Sequence, residues 1–381
     1  MTANPTPADP FAPDAGLAAH PAVVAAHEVA EGVLAPQAAE ADDPARGVRR
    51  EVCETVAAAG LLSVTVPVAE GGSGGDARVE AEVVELLAGA CGATWFVGTQ
   101  HRTPQQLALG GPRGVPEGTV RTGPAAARYR AGLGTAAERA GIAIAHLRRP
   151  GPPAVTAEPH GSGWRLRGHS DWCTGWGLTD LVMIGATTPD DRYLFVLVPA
   201  RETAGLRAGD PLPLSVMGGT RTVSVEFDDL VVPGDAVLAD VDGAPYRALD
   251  AARTANAHPA SIGLLRRVLT ELGRLGRERA RPEASELAAT LTVDAARYRD
   301  EAYALLTQVP VGERVAERTA LRGELAALTV RAAQGLVAAR SGSALLASSP
   351  EQRWAREAMF FLVQAQTVPV RAAQLAALGR S

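Results

Sequence analysis

The spacing of apolar residues changes twice along this chain of 381 residues, and those changes limit the fold more than any single motif does. Up to about Leu109 the spacing is helical. Val23, Val24, His27, Val29, Val33 and Leu34 give an amphipathic spacing, and Glu51–Ala59 does likewise and stops at Gly60. A third helix is predicted over 78–91, with Val79, Val83, Leu86, Leu87 and Ala90 inward, and a fourth over 94–109. Gly and Pro make 110–123 a loop. From Gly141 the spacing suits closely set strands: 141–146, 155–158, 164–167, 180–186, 193–198 and 223–227, closed by the Gly/Pro/Asp-rich stretch 233–242. From about Pro245 long Ala/Leu-rich helices follow, punctuated by Pro259, Pro282, Pro310 and Pro350. The expected class is α+β. A flexible arm at 1–20 leads into a helical domain at 21–138, a β-domain at 139–242 and a C-terminal four-helix bundle at 243–381.

Composition removes several chemistries. A net charge of −5 argues against a nucleic-acid binder, which needs a basic surface. All 37 basic residues are Arg, so lysine Schiff bases, pyridoxal phosphate and P-loop mechanisms are excluded. Cys53, Cys91 and Cys173 form no CxxC pair, and the seven His show no metal-ligand spacing, so a reducing cytoplasm and no metal are expected. The first 20 residues lack the basic and apolar regions of a signal peptide, and no apolar run reaches membrane-spanning length.

The stretch Gly168–Gly177, GHSDWCTGWG, carries the most chemistry. A strand expected to end at Leu166–Gly168 turns and presents an indole, a thiol and a hydroxyl in succession (Trp172, Cys173, Thr174). An aromatic face beside a hydroxyl suits a flat heteroaromatic ligand, stacked on the ring with its polar edge on Thr174. The bland alternative is a Trp plugging a sheet edge.

Five segments in order resemble the acyl-CoA dehydrogenase superfamily over about 21–378. They are Gly60–Pro67 with Glu70-Gly71-Gly72; Trp164–Gly168 with Trp172–Gly175; Met217–Thr222 with Val225–Pro233; Leu249-Asp250-Ala251-Ala252-Arg253; and Gln352–Ala358. The resemblance implies an acyl-CoA dehydrogenase-like fold, a homodimer or dimer of dimers, and FAD lying against the β-domain. Trp172 would stack on the isoalloxazine, Thr174 would bond near N5, and Gly175 would be a further cofactor contact. Cys173 would point the other way and serve packing.

Three departures separate this chain from the family pattern. The two positions where members carry the catalytic glutamate hold Ala365 and Ala252, and an alanine takes no proton. The loop that grips the cofactor pyrophosphate is replaced by His146–Pro152, where Arg148 and Arg149 are candidate phosphate clamps. The segment that reaches a partner subunit's cofactor is reduced to Gly276–Pro282, leaving Arg277, Arg279 or Arg281 for that role; Arg279 is the position taken. Gly342 stands where a small residue lets the backbone approach the flavin.

His101 is then the candidate alternative base, with Gln100, Arg253 and Gln364 as substrate contacts and His258 facing the same region. The favoured expectation is FAD-dependent oxidation of an acyl-thioester-like or otherwise activated small substrate, on coenzyme A or a carrier protein, with a separate electron acceptor. The alternatives are a two-component monooxygenase fed by a flavin reductase, and a flavin-free scaffold.

Overall fold

The structure, a computed structural model, describes residues 10–111 and 118–380. Residues 1–9 of the expected arm and 112–117 of the expected loop lie outside the described residues. The rest of the arm is docked rather than loose. Phe11 and Leu17 are buried in the largest core, and Asp14 caps the short helix α1 (Ala15–Ala18) by accepting the Leu17 N–H at 2.9 Å.

The first helical region continues with α2 (Pro21–Val29), α3 (Ala35–Asp42), α4 (Arg50–Ala58), α5 (Ala77–Ala90), α6 (Gly92–Thr99) and α7 (Arg102–Ala108). Asp76 starts α5 by accepting the Arg78 and Val79 N–H groups, and Val79, Val83 and Leu87 turn inward. The single helix expected over 94–109 is two. Pro104 has no N–H, and its ring would clash with the Gln100 carbonyl, so the chain breaks at Gln100–His101 and restarts as α7.

The middle of the chain builds a mixed sheet from β1 (Val120–Thr122), β2 (Ala140–Ala143), β3 (Val155–His160), β4 (Gly163–Cys173), β5 (Leu181–Thr187), β6 (Arg192–Pro199), β7 (Leu206–Ala208), β8 (Val223–Pro233) and β9 (Val237–Asp242). Helix α8 (Pro124–Thr135) lies between β1 and β2. The order is β1-β9-β6-β5-β3-β4-β8-β7, with β2 alongside β5. Pairing is antiparallel except β2–β5 and β3–β5. The closing stretch 233–242 contains a full strand, β9, rather than loop alone. The strand expected to end at Gly168 instead runs on to Cys173, with register breaks against β8 after Leu166 and after Ser170. At Gly168 φ is 129°, and a Cβ would lie 2.0 Å from the Ala154 carbonyl oxygen. Only glycine lets β4 bend there and carry Trp172 and Cys173 onward.

Five helices complete the chain beyond the short α9 (Gly243–Thr254): α10 (Pro259–Glu278), α11 (Pro282–Gln308), α12 (Val315–Arg340), α13 (Pro350–Val363) and α14 (Val368–Leu378). The first four form the bundle, and α14 packs on α12. An internal ionic knot ties α5 to the bundle. Arg299 on α11 donates to Glu85 at 2.7 Å and to Glu82 at 2.6 Å, and Arg266 on α10 reaches Glu82 at 3.2 Å. Tyr303 donates to Glu85 as well, while burial pushes the Glu85 carboxyl upward. Removing one member of such a buried set leaves uncompensated charge. Arg299→Met is therefore expected to cost about 3 kcal/mol of stability, read as an earlier urea midpoint; an unchanged midpoint would contradict a binding role for the knot.

Candidate functional site

The end of β4 carries the candidate surface. Successive side chains alternate across a strand, so Trp172 and Cys173, the last two residues of β4, take opposite sides, and Thr174 opens the turn that follows. Cys173 is buried in the sheet core, and burial pushes its thiol up to about 12, which makes it inert packing. Trp172 is 45% exposed, unusual for an indole this close to a core. Thr174 is only 5% exposed. Gly175 follows at φ 82°, a left-handed turn that glycine takes without strain. Its N–H donates to the Thr220 carbonyl at 3.0 Å, and the Trp176 N–H donates to the Arg221 carbonyl at 3.1 Å. These bonds press Thr174 against the loop before β8. There the Thr174 and Thr222 hydroxyls meet at 3.0 Å, those of Thr222 and Thr220 at 2.9 Å, and Thr220 donates to the Met217 carbonyl at 2.9 Å.

Asp42 fixes that loop from outside the sheet. One carboxylate oxygen accepts the Met217 N–H at 2.7 Å, and the other accepts from Arg356 of α13 at 2.6 Å. Arg356 also donates to the Ser215 carbonyl at 3.0 Å. Helix α13 is thereby held against the same loop that backs Thr174. Next to this junction α6 and α13 share an aromatic wall. Phe96 and Phe360 meet at 4.8 Å between ring centroids, Trp95 and Phe361 at 5.8 Å, and Trp95 and His258 at 5.3 Å.

Ala365 stands in the turn after α13, and Ala252 lies in the last turn of α9. Arg322 of α12 bridges those turns, donating to the Thr254 and Gln364 carbonyls. Burial, with Arg148 nearby, lowers its guanidinium to about 10. Gln364 therefore engages Arg322 through its backbone. Gln100 is buried and turns its amide back to the Phe96 carbonyl at 2.7 Å, so the structure shows a helix-end bond rather than a substrate contact. Arg253 is partly buried and points toward Gln106 at 3.4 Å.

His101 is engaged through both of its ring nitrogens. A neutral imidazole has one nitrogen lone pair to offer. His101 uses its own on the Ala140 N–H at 3.2 Å, and its other nitrogen faces the Leu133 carbonyl at 2.9 Å as donor. The ring is 2% exposed, and burial lowers its pKa to about 4. His258 is committed in the same way. It caps α10 by accepting the Ala260 N–H at 3.1 Å, and burial lowers it to about 3.

The two candidate phosphate clamps hold carboxylates. Arg148 makes a two-pronged pair with Asp250 at 2.7 and 2.8 Å, and Arg149 pairs with Asp171, so an anion there would have to displace a carboxylate. Arg279 sits exposed at the end of α10, and Arg281 folds back onto the Ala339 carbonyl at the end of α12. A Cβ on Gly342 would meet open space, so nothing within the chain demands glycine there. The residues that sequence reasoning missed are Asp42, Arg322, Thr220 and Thr222. Only the last two left a trace, as the alternating hydroxyls of Gly219-Thr220-Arg221-Thr222.

Residues 22–111 match the family model of the acyl-CoA dehydrogenase N-terminal domain. Butyryl-CoA dehydrogenase of Megasphaera elsdenii is similar over 94% of this chain and 96% of its own, at 17% identity and a TM-score of 0.75. Glutaryl-CoA dehydrogenase of Mycobacterium smegmatis, solved with FADH2, is similar over 94% and 92%, at 16% identity and a TM-score of 0.73. Dibenzothiophene monooxygenase of Paenibacillus sp. A11-2 is similar over 95% and 96%, at 16% identity and a TM-score of 0.75. No curated protein matches the sequence. The chain thus carries that N-terminal domain and has the acyl-CoA dehydrogenase fold throughout.

The committed histidines give a pH signature. His101 binds its proton at about 4 in the fold against an ordinary 6.5, so the unfolded chain protonates first. The stability gained by keeping it neutral is complete above 6.5 and is lost as pH falls toward 4. The slope is about 1.4 kcal/mol per pH unit for each such group. The melting temperature should fall across this window, and fall less in His101→Gln. Parallel curves for the two proteins would contradict the assignment.

Proposed function

We propose that this chain, with its acyl-CoA dehydrogenase N-terminal domain on that superfamily's fold, is a flavin-dependent oxidoreductase that works without a protein base. The carrying observation is the pair Ala365 and Ala252, with the nearby imidazoles of His101 and His258 already used on backbone N–H groups. Proton abstraction beside a carbonyl needs a base within hydrogen-bond reach. A reaction that begins from reduced flavin and oxygen does not need one at that point. The reading favoured here is therefore a two-component monooxygenase acting on a small apolar substrate. The base-dependent dehydrogenase ranks second, since its named candidate His101 is committed.

The residues present suit an isoalloxazine. Trp172 offers an exposed aromatic face, and Thr174 stands two residues on with its hydroxyl backed by Thr222. The phosphate end fits less well, because Arg148 and Arg149 already hold carboxylates. Bound reduced flavin would supply two electrons, so that one oxygen atom enters the product and the other leaves as water. The chain's own part is positional. Trp172 fixes the ring plane, and Thr174 fixes its polar edge. Phe96 and Phe360 line an apolar wall that keeps water from the reacting side, and Arg322 braces the two turns from which the carboxylate is missing. A flavin reductase would supply the reduced cofactor. A homodimer or tetramer is part of the same reading. Among the described residues no helix is long and apolar enough to cross a membrane.

Anaerobic mixing of the FAD-loaded protein with butyryl-CoA should leave the visible flavin band unbleached. With a reductase, NADH and oxygen, the protein should consume oxygen and release peroxide when no substrate is present. Rapid bleaching by the thioester would restore the dehydrogenase, and failure to bind flavin in either redox state would favour a scaffold.

A further inference from the structure

A small cavity lies between α4, α6 and the turn that follows β4. Cys53 and Val56 line it from α4, Thr94 and Val97 from α6, and Leu178 and Thr179 from the turn. It measures about 320 Å³ with its open mouth, and the enclosed part is about the size of one water. It is separate from the aromatic wall, because Trp95 and Phe96 leave α6 on the side toward α13. Its lining does touch the turn after Thr174. A Cβ on Gly175 would lie 3.3 Å from Val97 Cγ1 and 3.6 Å from Thr179 Cγ2.

Arg139, just before β2, also lines this space, and its side chain is 8% exposed. Its Nη2 donates to Glu54 at 3.3 Å and stands 3.9 Å from Asp180. Its Nε–H is fully buried, and among the described residues no acceptor lies within hydrogen-bond distance of it. An unmet donor on a buried charged group is costly, so native folds supply a partner. The other polar groups of the lining are already committed. Both His101 nitrogens are spent on Leu133 and Ala140. The Thr179 hydroxyl gives its proton to the Gly175 carbonyl at 3.4 Å, which leaves it lone pairs. An occupant must therefore accept from Arg139, and it can donate to Thr179. Charge restricts it further. Arg50 and Arg139 face Glu54 and Asp180 in one cluster, two cations against two anions, so an uncharged occupant suffices.

We propose that this cavity is a binding site for one internal water, which accepts the Arg139 Nε–H and donates to Thr179 Oγ1. The inference is independent of the flavin reading. The water is a keystone between separate parts of the chain. Arg139 is fixed through its backbone N–H, which donates to Asp180 at 2.8 Å, and through Glu54 on α4. The Leu178 and Thr179 N–H groups close the turn onto the Gly175 carbonyl at 2.9 and 3.2 Å. A water held by both Arg139 and Thr179 joins the N-terminal helices to the turn that carries Gly175. Arg50, paired with Asp180 and Glu54 beyond Arg139, slows its exchange with solvent.

The test is a high-resolution crystal structure of the unaltered protein, repeated under xenon pressure, with Arg139→Met beside it. One ordered water is expected within about 3 Å of Arg139 Nε. Xenon should stay out, since it enters dry apolar cavities. Arg139→Met removes the donor, so the water should be lost and xenon should take its place. In solution, magnetic relaxation dispersion of the water signal should count one long-lived water fewer in that variant. Should Arg139→Met fail to fold, Thr179→Val removes the second partner and should shorten the residence time of the water roughly tenfold, the worth of about one hydrogen bond. An Nε without a water, an organic or anionic group beside it, or xenon in the unaltered protein would overturn the site. So would an unchanged count of long-lived waters in Arg139→Met, or an unchanged residence time in Thr179→Val.

Discussion

The carboxylate of Asp42, at the end of α3, accepts the Met217 N–H with one oxygen and the Arg356 guanidinium with the other, and the geometry of the candidate surface follows from that double contact. The residue is 8% exposed, so both bonds form where water competes poorly. The three groups come from the N-terminal helices, the loop before β8 and helix α13. Close packing reinforces the contact: a Cβ on Gly92 of α6 would lie 2.8 Å from Met217 Cε and 2.9 Å from Glu357 Cδ. A larger residue there would push the Met217 and Glu357 side chains aside. Without this junction the loop would lose its anchor, and the hydroxyl line behind Thr174 would lose its fixed end.

From that anchor the site is assembled by exclusion of charge as much as by contact. The carboxylates that approach this region are neutralised: Asp42 by Arg356, Asp250 by Arg148, Asp171 by Arg149. Arg322 stays buried among backbone carbonyls and, among the described residues, pairs with no carboxylate. The carbonyls of Thr254 and Gln364, close in sequence to Ala252 and Ala365, are both braced by that guanidinium. A cationic brace beside an apolar aromatic wall is a poor setting for a proton acceptor, because nearby positive charge and desolvation both work against protonation of a base.

Much of the fold was legible because apolar spacing reports burial directly. The order of helices, sheet and bundle followed from period alone, and the exposure of Trp172 and the inward turn of Cys173 followed from alternation along one strand. The misreadings have local causes. Pro104 split a helix that periodicity ran together, and the bend at Gly168 let β4 continue where a turn was expected. Tertiary partnership was not legible. His101 looked available because Ala140 and Leu133, which occupy its two nitrogens, lie more than thirty residues away in sequence. Arg148 looked like a free cation because Asp250 is about a hundred residues distant. Asp42 left no signal at all, since its importance comes entirely from what α13 and the β8 loop bring to it.

The central claim is that a planar cofactor rests on Trp172 with its polar edge toward Thr174, at a site without a carboxylate base. The most direct measurement is a crystal structure of the protein soaked anaerobically with reduced FAD. The account predicts the isoalloxazine stacked on the indole of Trp172, with N5 within hydrogen-bond distance of Thr174 Oγ1 and Thr174 still bonded to Thr222. A flavin bound elsewhere, or a carboxylate facing the ring at N5, would contradict it.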